Sequence, residues 1–347
     1  TGPIQVATVF PTLLFEIGMS GFELTESEAQ RYDRQIRVWG AEAQSRIQKS
    51  KVLICGVSHM NIEVAKNIVL AGMSVTLQGS RDATYDDLSH NFFLRVGDVG
   101  KPVALATLPR VQELNAFANV VAETTPLEKL PDSYFNSFSV ILLTDCSEEQ
   151  ALRINRLCRD RAEKAIFFWS DVFGDEGLFY ADFGDNFSFE DDLQPGTPAT
   201  ASTSSAPKVQ KIKSITFPDL QTVLSKKWSS IPSRFFPLCS TFVKHRLLSK
   251  WRNAKGQQPG QADASAMLEL LVAQQAANDM PSDPVLSSEQ IESLCAVAGT
   301  ASVLACSVLG SFLSQEIVKA VSLTGEPAYN VFVFSAENLE GKALPIG

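Results

Sequence analysis

Residues 51–71 read KVLICGVSHMNIEVAKNIVLA. Val52, Leu53 and Ile54 make a short continuous apolar run that ends at Gly56, after which Ile62, Ala65, Ile68 and Val69 recur at helical spacing. A buried strand, a tight loop and an amphipathic helix in this order form the first unit of a nucleotide-binding α/β fold, whose loop and helix start cradle phosphate. In the G-x-G-x-x-G pattern the second glycine admits a phosphate close to the backbone and the third lets helix and strand pack tightly. Met60 and Asn61 stand in that part of the loop here. The stretch therefore predicts the scaffold of a phosphate site crowded by side chains. Such a fold either binds its nucleotide unusually or serves a partner that binds one.

Outward from this unit, residues 74–77, 119–122, 139–144 and 165–169 are short apolar or β-branched runs, separated by helical patterns at 102–116 and 148–164. That alternation predicts parallel βαβ units with right-handed crossovers. Residues 177–184 follow with no helix before them, which suits an antiparallel continuation of the sheet. Upstream, Thr25 with Glu28 three residues on is a cap for a helix over 26–47.

The rest of the chain divides by composition. Residues 1–24 read as a flexible tail and 25–184 as the nucleotide-fold core. Residues 185–216 are a low-complexity linker, with too little apolar surface to offset the entropy of ordering it. Residues 217–280 form a helical insertion carrying Trp228, Phe235, Phe236, Phe242, Leu247, Leu248, Trp251 and Leu268. Residues 281–347 supply a long helix over 287–322 and a strand at 329–334 that complete the core and a subunit interface. Gly299, Ala301, Ala305, Ser307, Gly310 and Ser311 on that helix permit close approach of another backbone.

A net charge of -9 speaks against general nucleic-acid binding, which rewards clustered Lys and Arg. Six cysteines without a C-x-x-C pair suggest neither a zinc ribbon nor a dithiol site, and predict reduced thiols. The apolar stretch 4–17 is broken by Pro11 and Glu16 and has no basic residue before it, unlike a signal peptide. No other run approaches the ~20 apolar residues of a membrane span. The expectation is a soluble protein of nucleus or cytoplasm, with no membrane partner.

Several single residues invite a chemical reading. Asp145 ends a strand where α/β sheets bind ligands, yet a short polar residue before a helix start is commonly a turn or capping group. His59 has no evident carboxylate or cysteine partner and reads as a surface or packing residue. Lys244, His245, Arg246, Lys250 and Arg252 read as a solvated basic helix face, and Cys306 as a buried packing thiol. Arg31, Arg34 and Arg37 recur at i, i+3 and i+6, the spacing of one exposed helix face.

Three motifs, RYDRQIRVWG (31–40), DVFGDEGLFYADFG (171–184) and GSFLSQEIVKAVS (310–322), resemble the ThiF-type activating enzymes of ubiquitin-like proteins. The resemblance runs from about residue 26 to the C-terminus and is strongest to the smaller, non-cysteine subunits of SUMO-activating heterodimers. It implies a Rossmann-like ThiF-type adenylation fold with a mixed sheet and a helical insertion. It further implies a cysteine-containing catalytic partner subunit that alone binds ATP and magnesium, adenylates the modifier, SUMO or a relative, and takes it as a thioester. The first arginine of the YDRQIR motif, Arg34, is then supplied in trans to the partner's ATP.

The resemblance also marks this chain's own site as degenerate, beginning with Met60 and Asn61. Gln78-Gly79 stands where active halves carry the ribose-binding acid, His90 where they carry an arginine, and Val103 where they carry a phosphate-reaching lysine. Phe92 remains as packing, Asp145 as a possible remnant, and neither cofactor nor metal is expected on this chain alone. The other readings are the corresponding subunit for another modifier, a Rossmann-type scaffold or sensor, and a self-sufficient homodimeric adenylating enzyme. The missing arginine and lysine weigh against the last.

Overall fold

The structure is a computed structural model that describes residues 25–191, 212–231, 239–281 and 283–347. Its strands are β1 (Lys51–Cys55), β2 (Ser74–Gln78), β3 (Val120–Glu123), β4 (Val140–Leu143), β5 (Ile166–Phe173), β6 (Glu176–Asp182), β7 (Phe187–Glu190), β8 (Ile212–Ile215), β9 (Val331–Ser335) and β10 (Glu340–Leu344). Eight of them form one sheet in the order β10-β9-β6-β5-β4-β1-β2-β3, while β7 and β8 pair as a separate ribbon. β3, β2, β1, β4 and β5 run parallel; β6, β9 and β10 extend the sheet antiparallel.

The helices are α1 (Glu26–Arg31), α2 (Asp33–Lys49), α3 (His59–Ala71), α4 (Asp87–His90), α5 (Val103–Gln112), α6 (Glu148–Asp160), α7 (Leu220–Ser225), α8 (Cys239–Lys255), α9 (Ala264–Ala277), α10 (Ser288–Val297) and α11 (Val303–Ser322). They cover both faces of the sheet. Alternation along β1 sends Val52 and Ile54 into a core with α3, α5 and α11, and Leu53 and Cys55 into a second core with α6, α8, α9 and α10. Thr25 and Glu28 form the expected capping box at α1. Cys55, Cys146, Cys158, Cys295 and Cys306 are free thiols, and burial pushes Cys306 up to about 12.

The structure corrects the sequence reading in several places. The ends of the supposed linker are the ribbon strands β7 and β8, with Phe189 buried and Ser188 Oγ 2.8 Å from Ser214 Oγ. The tail at 1–24 and Phe235 and Phe236 lie outside the described residues. The helix expected over 287–322 is two, α10 and α11. Between them Thr300 and Ser302 pair with the backbone of Gly174 in the β5–β6 turn, and Ser302 caps the second helix. A side chain at Gly174 would put its Cβ 2.6 Å from Val297. By length and composition α11 does reach the span of a bilayer, but Leu309, Leu313 and Ile317 on it are fully buried in the fold.

The basic face of α8 is not solvated. Arg246 donates to Glu148 Oε2 at 2.8 Å, Lys244 pairs with Glu176, and Arg252 with Asp171. His245 is fully buried, with Nδ1 3.0 Å from the Tyr180 hydroxyl and Nε2 3.6 Å from Asp171. Burial holds its imidazole well below the usual range and therefore neutral. These contacts fasten the insertion to the C-terminal end of β5, the start of β6 and the start of α6.

Candidate functional site

The crevice expected of such a fold lies beyond the C-terminal ends of β1, β2 and β4. Gly56 turns the chain there at φ +88, and a Cβ on it would stand 2.5 Å from Thr144 Oγ1. Only glycine fits that turn. Ser58 caps α3 by accepting from Asn61 N, so Met60 and Asn61 belong to the first helical turn and not to the loop. Asn61 closes the loop from within. Its Nδ2 lies 3.2 Å from Cys55 O, 2.7 Å from Gly56 O and 2.8 Å from Thr144 Oγ1. Gly310 of α11 lies close against the first turns of α3, where its Cβ would sit 3.0 Å from Met60 O.

The crevice is divided. Two hollows of about 220 and 190 Å³ share Val57, Arg81, Thr144 and Asp145. Each is smaller than the roughly 300–1,000 Å³ of ordinary ligand pockets. Arg81, in the partition, is held by Asp87 through bonds of 2.6 and 2.5 Å. Desolvation pushes Asp87 up, but Arg81 and Thr84 outweigh it and hold the carboxyl at about 2.

Other degenerate positions are filled or tied. Gln78 is buried and donates to Thr125 O at 2.8 Å. A Cβ at Gly79 would meet Val57 at 2.8 Å and Val103 at 3.2 Å, so Val103 packs where a cation was expected. His90 faces the larger hollow with its ring centre 5.9 Å from that of His59. His59 is buried with Nδ1 unpaired, a packing residue of the wall and not a surface one. Phe92 packs only in part: it is 42% exposed, with its ring centre 4.6 Å from that of buried Phe93 and its ring beneath Lys66.

Asp145 adopts a left-handed φ of 52° and is not the cap of α6, a task taken by Ser147 with Gln150. Desolvation and then the neighbouring Asp171 push its carboxyl up, opposed by Arg81 and Arg252. The residue keeps open surface toward the hollows, so water limits that desolvation. Among the described residues no cluster of three His, Cys, Asp or Glu side chains is placed to hold a metal. With no such cluster and only two small hollows, the crevice does not fit a magnesium-bound triphosphate.

Arg34 is not at this crevice. It projects from the first two turns of α2, a segment set off by a break at Gly40. Its neighbours in the motif are engaged, Arg31 donating to Leu114 O at 3.1 Å and Arg37 pairing with Asp33 at 3.0 Å. Arg34 is exposed and makes no ion pair or side-chain hydrogen bond among the described residues. One turn away Val38, 73% exposed, stands on the rim of an apolar groove of about 860 Å³ between α2, α3 and α11. Trp39, Leu70 and Val318 line it.

The sequence reading gave no role to Arg81, Asp87 or Asp171 and placed Arg252 on a solvated face. Arg81 lies in a loop six residues before Asp87, the first residue of α4, where no periodicity links them. Asp171 and Arg252 are joined across 81 residues.

A model of the ThiF family matches residues 32–346. The SUMO-activating enzyme subunit 1 of Homo sapiens is 32% identical over 340 residues, covering 94% of this chain and 96% of that protein. The same-named protein of Xenopus laevis is 32% identical over 334 residues, covering 92% and 95%. Among solved structures, PaaA superposes with a TM-score of 0.55 at 15% identity over 92% of this chain and 83% of its own. E. coli MccB with succinimide gives 0.52 at 11% identity over 91% and 72%. At these identities the two structures are alike in fold alone.

Proposed function

The chain belongs to the ThiF family, and from that premise we propose that it is the non-adenylating subunit of a heterodimeric SUMO-activating enzyme. Its partner, the cysteine-containing subunit, binds ATP and magnesium, adenylates the C-terminus of SUMO and takes it over as a thioester. This chain contributes Arg34 to that site from across the interface. The observation that carries the reading is the state of Arg34: unpaired between two engaged arginines, and one turn from Val38 on the rim of an apolar groove. A face that buries Val38 and Leu70 against a partner brings Arg34 with it.

The chemistry suits a guanidinium. When a carboxylate attacks an α-phosphate, charge grows on phosphate oxygens and on departing pyrophosphate, and a planar, permanently charged fork offers them paired donors. The divided crevice supports the other half of the proposal, since two hollows each smaller than an ordinary ligand pocket suit a subunit that leaves adenylation to its partner. The test is ATP–pyrophosphate exchange by the reconstituted heterodimer. Arg34→Ala is expected to lower the exchange rate by roughly 10²-fold or more while the subunits still associate. Wild-type exchange by the mutant heterodimer removes Arg34 from the mechanism, and full exchange by this chain alone sinks the assignment.

A further inference from the structure

The segment bearing Arg34 is built as a fixed arm. At its start Tyr32 is buried, and its hydroxyl accepts from Asn115 Nδ2 at 2.8 Å. Its ring packs over Gly72, where a Cβ would stand 2.9 Å from the hydroxyl. On the inward side Gln35 Nε2 donates to Leu70 O at 3.5 Å. At its end Trp39 Nε1 donates to Gln44 Oε1 at 3.0 Å, and Gln44, fully buried, passes the connection on by donating to Ala71 O at 3.0 Å. The C-terminal end of α3 thus anchors the inward face while Arg34, Arg37 and Val38 point outward.

The joint is Gly40, at φ 87 and ψ 161 within what is otherwise one helix. That region of backbone space is open essentially to glycine alone. A Cβ there would meet nothing within 4 Å, so the site demands glycine for the direction of the chain and not for space. A residue that preferred helical angles would straighten α2 and swing the preceding two turns off their anchors.

We infer that Gly40 and the Trp39–Gln44–Ala71 connection are positioning elements that aim Arg34 at the partner's nucleotide, an inference resting on the trans role of Arg34 proposed above. Gly40 and Trp39 touch no reacting atom. They act through the angle of the arm, and a misplacement of about 1 Å at a reacting group costs on the order of 10²-fold in rate.

The test is a double-mutant cycle in the reconstituted heterodimer, reading exchange kcat, KM for ATP and subunit affinity for Gly40→Ala, Arg34→Ala and the pair. Gly40→Ala is expected to lower kcat by about 10²-fold. In the Arg34→Ala background the same change is expected to cost less than about threefold, because both act through one side chain. Because Val38, Trp39 and Gly40 line the groove, some loss of subunit affinity is expected as well, and kcat is read at saturating partner concentration. Multiplying losses in the double mutant overturn the inference, as does a loss fully explained by weaker association, because either means a general structural effect. If Arg34→Ala is itself silent, the functional reading fails first. If Arg34→Ala loses activity and Gly40→Ala does not, only the positioning inference fails. Should Gly40→Ala not yield folded protein, Trp39→Phe carries the same cycle, keeping the ring and deleting the donor, with an expected loss of about tenfold.

Discussion

Replacing Arg246 with methionine separates the two accounts of helix α8. If its basic residues were solvated, the cost is that of an exposed ion pair, about 0–1 kcal/mol. In the structure the Arg246 and Glu148 side chains are 6% and 11% exposed, and removing one partner of a buried pair costs about 3–5 kcal/mol. Glu148 is not left wholly alone, because Ser249 Oγ donates to it at 2.8 Å and Lys250 lies 3.7 Å away. It is also the first residue of α6, where the helix dipole favours a carboxylate. The expected cost of Arg246→Met is therefore at the lower end, about 2–3 kcal/mol. Glu148→Gln is worse, about 3–5 kcal/mol, since Arg246 then keeps only neutral partners, Leu224 O at 3.5 Å and the Tyr180 hydroxyl. The double mutant is expected to recover about 2 kcal/mol relative to the sum of the singles. Urea unfolding of the four proteins, with Arg37→Ala at an exposed pair as a control expected within about 0.5 kcal/mol, measures all of this. An Arg246→Met protein as stable as wild type would falsify the buried clamp, and strict additivity would show that the two side chains do not interact.

Gly310→Ala sets helix propensity, a gain of about 1 kcal/mol, against overpacking worth about 1–3 kcal/mol. The new methyl would stand 2.9 Å from Glu63 Cβ and 3.0 Å from a backbone oxygen that cannot rotate away, so a lower thermal midpoint is expected. Gly97→Ala, with nothing within 4 Å, should be nearly neutral, and a stabilised Gly310→Ala would show that α3 and α11 pack less tightly than described. The Arg81–Asp87 pair gives a pH signature. Asp87 is held at about 2, so its contribution to stability is complete above the ordinary carboxylate value near 3.9 and drains away as pH falls through about 2. The stability difference between wild type and Asp87→Asn should be flat above about pH 5 and shrink below about 4, and a difference unchanged down to pH 2 contradicts the assigned pairing.

The parallel half of the sheet was legible because each strand is a run of apolar residues on a scale the eye can read, as in Val140–Leu143, and Thr25 with Glu28 announced α1 in four letters. The parallel α/β architecture follows from those runs and the ThiF-type assignment from the resemblance of the three motifs, and both are the ones observed. Strand β10, EGKAL, was missed because it lies at the sheet edge, where Glu340 and Gly341 stay exposed and no apolar alternation is required. The basic face of α8 was misread for a different reason: a helix does not record what opposes it, and Glu148 and Glu176 lie 98 and 68 residues from their partners. The lost glycines at Met60 and Asn61 were visible, but the plug Asn61 forms and the close packing of Gly310 on α3 depend on contacts made only in three dimensions.

The position of β9 between β6 and β10 has a consequence for how the chain is made. β6 ends at Asp182 and waits for a neighbour that begins at Val331. During synthesis the backbone edge of Leu178, Phe179 and Tyr180 emerges well before the strand that covers it, with the whole insertion still to come. An unpaired apolar edge is an aggregation hazard, and pairings so distant in sequence close slowly. Folding of this protein is thus bound to the completion of its sheet from the far end of the chain, and a ribosome stalled anywhere in the insertion holds a sheet with an open side.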